Sequence, residues 1–153
     1  MTSNKRRKTE QAASRPRTRS QTNRPKDGVL VYMQGVEVPK NVTKVIFDAS
    51  VIEIPNGYEY QGVFSHRTNL KEVVFNDGLQ KIGHNAFCGC TSLTVIKLPS
   101  TVIMVGLHAF FHCTNLREVA FNEGLQIIEE DAFADCTSLT IIKLPSTVTE
   151  LGE

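Results

Sequence analysis

The stretch Cys90–Val102 reads CTSLTVIKLPSTV, and Cys136–Val148 repeats it as CTSLTIIKLPSTV with one difference, Val95 against Ile141. A looser copy, CTNLREVAFNEGLQ, begins halfway between them at Cys113. The chain therefore has a period of 23 residues that is doubled to 46. A period in the range of roughly 20–29 residues, with apolar residues at fixed offsets, predicts a stack of similar turns that share one core.

A second pattern, apolar-x-x-apolar-x-apolar, marks five predicted strands of about six residues each. Each strand ends at turn-forming residues, such as Asn76-Asp-Gly or Pro99-Ser. The intervals between successive copies are 28, 23, 23 and 23 residues. The copies stand at Val42/Val45/Phe47, Leu70/Val73/Phe75, Leu93/Ile96/Leu98, Leu116/Val119/Phe121 and Leu139/Ile142/Leu144.

The return leg of each predicted turn has its own apolar positions, which end in a small-aromatic pair. These pairs are Ala86-Phe87, Ala109-Phe110 and Ala132-Phe133, and Phe64 fills the aromatic position of the first turn. The stretches around them are too short for a long helix, so we expect one or two helical or 3₁₀ turns there. Stacked turns would place equivalent side chains ~4.8 Å apart and build continuous apolar columns.

The residue string A-F-x-x-C-x-x-L-x-x-I-x-L-P-x-x-V-x-x-I/L-G runs from Ala86 to Gly106 and again from Ala132 to Gly152. It resembles the BspA-like leucine-rich repeats, and the resemblance covers residues 42–153. The resemblance implies an α/β fold: a right-handed solenoid with a parallel concave sheet, here of about five strands, and short helical or 3₁₀ convex turns. Members of this family include adhesion-type proteins of bacterial surfaces, so the resemblance implies a cell-surface adhesin as a further alternative function. No catalytic residue is carried over from the family.

The pattern divides the chain into two regions. Residues 1–28 contain no Leu, Ile, Val or Phe, which predicts a disordered tail. Residues 29–153 form the predicted solenoid: a divergent first turn (42–69), repeats at 70–92, 93–115 and 116–138, and a partial repeat at 139–153. Residues 1–26 carry nine Lys/Arg and one acid, whereas residues 27–153 carry eight Lys/Arg and fifteen acids.

The tail contains one compact basic cluster, Lys5, Arg6, Arg7 and Lys8. Such a cluster is typical of a nuclear address read by an import receptor, or of an arm that binds nucleic acid. The alternative is a self-repelling tail that keeps the protein in solution. The sequence shows no apolar run long enough to span a membrane and no secretory signal core. We therefore expect a nuclear or cytoplasmic protein.

Cysteines and histidines are the residues closest to a metal-binding pattern. Cys90, Cys113 and Cys136 are 23 residues apart, the spacing of the repeat rather than of a zinc site, so we expect buried thiols. Cys88 stands outside this column, and we expect it to be exposed. His108 and His112 would share a face only if a helix forms, and four ligands would be needed. We predict no catalytic, cofactor or metal site, and hence no enzyme.

The concave strand surface is the predicted binding surface for a protein partner of unknown identity. Alternation along each strand sends every second side chain outward. Apolar residues and charges of both signs mix in the outward columns, as in many protein contacts. The same residues could instead only support the sheet itself. The predicted outward residues are Lys44, Ile46, Glu72, Val74, Val95, Lys97, Glu118, Ala120, Ile141 and Lys143.

The last residues, Leu151-Gly152-Glu153, stand where another Ala-Phe turn would follow. Repeat solenoids need polar end caps, and no such cap is recognisable here. This pattern indicates either a truncated gene product or end-to-end association with a second copy.

Overall fold

The computed structural model describes residues 27–152, which form ten short β-strands and no helix. Within this part of the chain no helix is long and apolar enough to cross a membrane. The first five strands are β1 (Val29–Tyr32), β2 (Lys44–Phe47), β3 (Glu53–Ile54), β4 (Glu72–Val74) and β5 (Lys81–Ile82). The last five are β6 (Val95–Lys97), β7 (Met104–Val105), β8 (Glu118–Ala120), β9 (Ile127–Ile128) and β10 (Glu150–Leu151).

One layer of the solenoid consists of β1, β2, β4, β6 and β8, and we call its outward surface the concave face. Its strands are hydrogen-bonded in two parallel groups, β1-β2-β4 and β6-β8, with β4 beside β6. Lys44 pairs with Glu72 and Val95 with Glu118, which are the predicted intervals of 28 and 23 residues. The repeat period therefore sets the register of the strands, as the sequence predicts.

A second parallel layer, in the order β10-β9-β7-β5-β3, was not anticipated from the sequence. Each of its strands is only two residues long, and Ile54, Ile82, Val105 and Ile128 hold equivalent positions. All four side chains are buried and face the core between the two layers. Two-residue strands have too few side chains to show an alternating pattern, so only the repeat spacing could have indicated them.

The core consists of columns of identical or similar side chains. Leu70, Leu93 and Leu116 are fully buried. Beside them the rings of Phe64, Phe87, Phe110 and Phe133 stack with centroid distances of 4.9, 5.2 and 5.3 Å and nearly parallel planes. These spacings are close to the ~4.8 Å between paired strands. The aromatic column predicted from the Ala-Phe pairs, with Phe64 as its first member, is confirmed.

Two kinds of turn alternate after the concave strands, and they explain the doubling of the period. The Nδ2 of Asn122 donates hydrogen bonds to Pro99 O (2.7 Å) and Val102 O (3.2 Å) of the preceding turn. In the Pro-type turns, Thr101 and Thr147 donate instead to a leucine carbonyl of the preceding turn, each at 2.7 Å. Each kind of turn thus satisfies backbone carbonyls of its neighbour, which buried polar groups require.

The convex side does not form the expected helical or 3₁₀ turns. Here backbone N–H groups alternate between two acceptors: Cys88 N–H donates to Asn85 O within its own turn, whereas Phe87 N–H donates to Ala109 O of the next. A helix would keep all such bonds within one segment. The convex backbone therefore forms a series of β-turns that are bonded from turn to turn.

Residues in the left-handed conformation make this convex path possible. Two columns at the repeat spacing have φ between 53° and 70°, a region that favours Gly and, among other residues, Asn, Asp and His. The first column is Asn85, His108 and Asp131, and the second is His66, Gly89, His112 and Asp135. The polar turn residues therefore have a conformational role that the sequence pattern alone did not reveal.

The last turn differs from those before it. The predicted strand at Leu139/Ile142/Leu144 is wrong: residues 139–145 form no strand, and Ile142 and Leu144 are 43% and 42% exposed. The layer nevertheless has five strands, because β1 adds one before β2. Only the second half of the last turn pairs, through β10 with β9.

Candidate functional site

The concave face places most of the predicted binding residues at its surface. Alternation along the strands buries Val45, Val73 and Ile96 beneath it. Of the ten predicted outward residues, Lys44, Ile46, Val95 and Ala120 are half-buried and the other six are exposed. The geometry therefore brings the predicted side chains to one surface, while their role in binding stays a prediction.

Strand β1 extends this face beyond what the sequence analysis predicted. Val29 pairs with Lys44, and Val31 with Ile46, so both valines continue the two outward columns. Val29 is 37% exposed and Val31 is 43% exposed. The interval from β1 to β2 is only 15 residues, shorter than any interval between the predicted strands. The alternation in Val29–Tyr32, with Leu30 and Tyr32 facing inward, is the sequence pattern that could have predicted this strand.

An apolar patch occupies the half of the face formed by β1, β2 and β4. Val31, Ile46 and Val74 are aligned across the three strands. Next to them the Lys44 Nζ lies 2.7 Å from the Glu72 Oε1, so these two charges neutralise each other. This half of the concave face therefore consists of apolar side chains and one ion pair, Lys44 with Glu72.

The other half of the face holds a groove with unpaired cations. The groove lies between β8 and residues 140–143 and has a volume of about 490 Å³. Arg117, Glu118, Ala120, Ile141 and Lys143 are among the residues that line it. Ile141 is 71% exposed, because its segment does not pair with β8.

Three convex histidines face acids of later turns. The Nε2 of His84 lies 2.8 Å from the Glu129 Oε2, and that of His108 lies 3.3 Å from the Asp131 Oδ2. His112 faces Asp135 at 3.9 Å. No group of three or more His, Cys, Asp or Glu in residues 27–152 is arranged to hold a metal ion.

One acidic residue of the repeat 116–138, Glu129, has a structural role as well. The sequence has glycine at 83, 106 and 152, and Glu129 stands at the corresponding position of its turn. Besides contacting His84, the Glu129 Oε2 accepts a hydrogen bond from Leu107 N–H at 2.8 Å. This carboxylate therefore links three consecutive turns on the convex side.

The cysteine column consists of buried thiols, as the sequence predicts. Each Sγ donates to the carbonyl of a phenylalanine in the preceding turn: Cys90 to Phe64, Cys113 to Phe87 and Cys136 to Phe110, at 3.1–3.3 Å. Burial raises the pKa of Cys90 from the ordinary 9.0 to about 12. The hydrogen bond with Cys136, followed by burial, raises the pKa of Cys113.

Cys88 is a correction to the sequence analysis, because it is 2% exposed rather than accessible. Its backbone N–H belongs to the bonded convex turn, which directs the side chain inward. Burial raises the pKa of this thiol too. All four thiols are buried, so none of them offers an accessible thiolate.

The predicted basic cluster Lys5, Arg6, Arg7 and Lys8 lies outside the described residues, as does almost all of the predicted tail. Its role as a targeting or anion-binding segment stays a prediction.

Comparison with known proteins gives one family and several solved structures. The profile of the BspA type leucine rich repeat region matches residues 60–153 in six copies. No curated protein sequence matches the chain.

Among solved structures, a T. pallidum leucine-rich repeat protein is 29% identical, with a TM-score of 0.68 over 81% of this chain and 56% of that one. A leucine-rich repeat protein of Bacteroides ovatus is 33% identical, with a TM-score of 0.59 over 65% of this chain and 24% of that one. A leucine rich cell surface protein of Faecalibacterium prausnitzii is 23% identical, with a TM-score of 0.56 over 74% of this chain and 31% of that one. This chain thus spans between about a quarter and somewhat over half the length of these structures.

Proposed function

Because the chain belongs to the family of BspA-type leucine-rich repeat proteins, we propose that it is a non-catalytic interaction module whose concave face binds a protein partner. The observation that carries this proposal is the pair of outward columns on β1, β2, β4, β6 and β8. They join an exposed apolar patch to charged side chains on one surface. An apolar patch bordered by charges is typical of protein contacts, and repeat solenoids use their concave surfaces in this way.

The convex side is a poorer candidate for the contact. Three of its histidines face carboxylates of later turns, and many of its backbone N–H groups are bonded within or between turns. Polar groups that already have partners have less to gain from a new one. The concave face, in contrast, exposes apolar side chains that gain from being covered.

The test replaces three residues of the concave face together: Val95→Asp, Glu118→Lys and Ile141→Asp. The control, Glu123→Lys with Glu130→Lys, changes exposed residues away from this face. Both proteins are first checked by circular dichroism. They are then compared with the unchanged chain in cross-linking followed by mass spectrometry, and any captured protein is purified and its Kd measured. We expect a partner whose binding is lost only with the concave variant. A partner that binds all three proteins equally would contradict the assignment of the concave face.

The basic N-terminal region supports a second role, targeting or additional electrostatic affinity. Residues 1–26 carry nine Lys/Arg against one acid. Localisation of the full chain is compared with that of a version lacking residues 1–26, each fused to a fluorescent reporter. Loss of nuclear signal on deletion would support an address at Lys5–Lys8. Nucleic-acid binding through this region should weaken steeply with salt, and affinity that persists after the deletion would contradict it.

A further inference from the structure

The concave face has a charge opposite in sign to the rest of the described chain. Residues 27–152 contain eight Lys/Arg and fourteen Asp/Glu. Five of the eight cations lie on the concave strands, directly next to them or in the segment beside β8, but only three of the fourteen acids do. The cations are Lys44, Lys71, Lys97, Arg117 and Lys143, and the acids are Asp48, Glu72 and Glu118.

Most of these cations have no carboxylate partner within the part of the chain that the structure describes. Only Lys44 forms an ion pair, with Glu72. Arg117 and Lys143 line the groove beside β8, where Glu118 is the one acid among the lining residues, and Lys97 pairs with the lining residue Ala120. Exposed charges of one sign that lack partners raise the local potential and favour a partner of opposite charge.

The apolar and cationic halves lie in line along one outward column. Pairing aligns Val31, Ile46 and Val74 on β1, β2 and β4, and the neighbouring group continues with Lys97 and Ala120 on β6 and β8. At ~4.8 Å per strand the column spans about 19 Å. A partner that lies along this column meets apolar side chains at the β1 end and positive charge at the β8 end.

We propose that the concave face binds a segment of a partner protein that has an apolar half and an acidic half, with the acidic half in the groove beside β8. This inference rests on the proposed function and specifies the chemistry of the partner. The chain's own residues 1–26 do not fit this description, because they carry nine Lys/Arg and no Leu, Ile, Val or Phe. Nucleic acid would match the cations but not the apolar patch of Val31, Ile46 and Val74.

The test measures the binding of labelled peptides to the full chain by fluorescence anisotropy. One peptide of about 15 residues has a Leu/Val half followed by an Asp/Glu half, and its control has Lys in place of every acid. We expect the acidic peptide to bind at least about tenfold more tightly than the control, since unlike charges attract and like charges repel across an interface. The acidic peptide should bind less well as the salt concentration rises.

Two matched variants locate the peptide on the protein. The variant Lys97→Glu with Lys143→Glu reverses two cations of the concave face, and Lys40→Glu with Lys81→Glu reverses two cations elsewhere. Both change the net charge equally. We expect about a tenfold loss of affinity for the first variant and little change for the second. Equal losses would mean that only the net charge matters and would overturn the proposal.

The remaining outcomes separate this inference from the proposed function. Equal binding of the acidic and Lys-containing peptides would overturn the stated chemistry. The same holds if neither peptide binds. A 15-nucleotide single strand of dT that binds more tightly than the acidic peptide, and displaces it, would indicate a phosphate-binding surface instead. The concave face as a protein-binding surface is judged separately, by the captured partner and its loss with the Val95, Glu118 and Ile141 variant.

Discussion

Residues 93–102 and residues 139–148 have the same sequence except for Val95 and Ile141, yet they have different structures. In the first copy, β6 pairs with β8, and Ile96 is fully buried. In the second copy no concave strand forms, and Ile142 is 43% exposed. Within residues 27–152 the first copy lies between two other turns, whereas the second copy has a neighbouring turn on one side only.

The difference shows that the conformation of a turn depends on its neighbours as much as on its own sequence. A single turn of a solenoid cannot bury its apolar side chains, and the interfaces with adjacent turns supply much of the stability. Leu93 and Ile96 are fully buried between the turns on both sides, so β6, which contains Ile96, is held in place. An equivalent segment covered from one side gains less from forming a strand.

The largest expected effect of a mutation distinguishes the two copies directly. Leu93→Ala removes a fully buried side chain and should cost ~2–5 kcal/mol of unfolding free energy, because a cavity remains. Leu139→Ala, at the corresponding half-buried position, should cost less than half as much. Urea unfolding followed by circular dichroism measures both. Equal costs for the two variants would mean that the last turn is as well packed as the others.

A smaller effect is expected at the turn that covers the end of the first copy. Asn122→Ala removes two hydrogen bonds to Pro99 O and Val102 O and a third from Gly124 N–H. Because these carbonyls are partly buried, the free energy of unfolding should fall by about 1–2 kcal/mol. Ser146→Ala, which removes one long, exposed hydrogen bond to Glu123, is the control and should change stability by only a few tenths of a kcal/mol. Equal stability of the Asn122→Ala and Ser146→Ala variants would contradict the stabilising role of the Asn122 hydrogen bonds.

A still smaller effect is expected for Ile142→Ala in the second copy. Its side chain is 43% exposed, so its truncation should cost roughly 0.5 kcal/mol, as surface substitutions do. The matched change Ile96→Ala, at a fully buried position, should approach the cost of Leu93→Ala. A cost above ~2 kcal/mol for Ile142→Ala would indicate that residues 139–145 pair with β8 in solution.

The cysteines allow the two copies to be compared without changing stability. Cys90 is fully buried and its pKa is raised to about 12 by burial, so its unreactive thiol form persists well above pH 9. At the corresponding position, Cys136 is 7% exposed, and the hydrogen bond with Cys113 lowers its pKa. Since the thiolate is the nucleophile, iodoacetamide at pH 8 should alkylate Cys136 before Cys90. Mass spectrometry of the digested protein reads the order, and the reverse order would contradict the geometry of the last turn.

The sequence predicted those features of the fold that repeat exactly. The 23-residue spacing placed β4, β6 and β8, and the Ala-Phe pairs identified the aromatic column. It did not predict β1, whose 15-residue interval falls outside the period. It could not predict the state of residues 139–145 either, because these residues copy the sequence of a segment that forms a strand.

The candidate site, like the fold, was predicted only where it follows the repeat. The period and strand alternation brought ten outward residues to one surface, but the two valines of β1 were missed. The sequence also gave no reason to separate the apolar half from the cationic half. That separation depends on which charges find partners, such as Lys44 with Glu72, and on the groove left by the unpaired last segment.

The alternation of Asn-type and Pro-type turns has a consequence for how such a gene can change in length. Deletion or duplication of 46 residues leaves every turn beside the same kind of neighbour, so each amide and carbonyl keeps its counterpart. Deletion of residues 116–138 alone would place two Pro-type turns together, and Pro99 O and Val102 O would lose the amide of Asn122. The double repeat, rather than the single turn, is therefore the unit that can be added or removed without losing these hydrogen bonds.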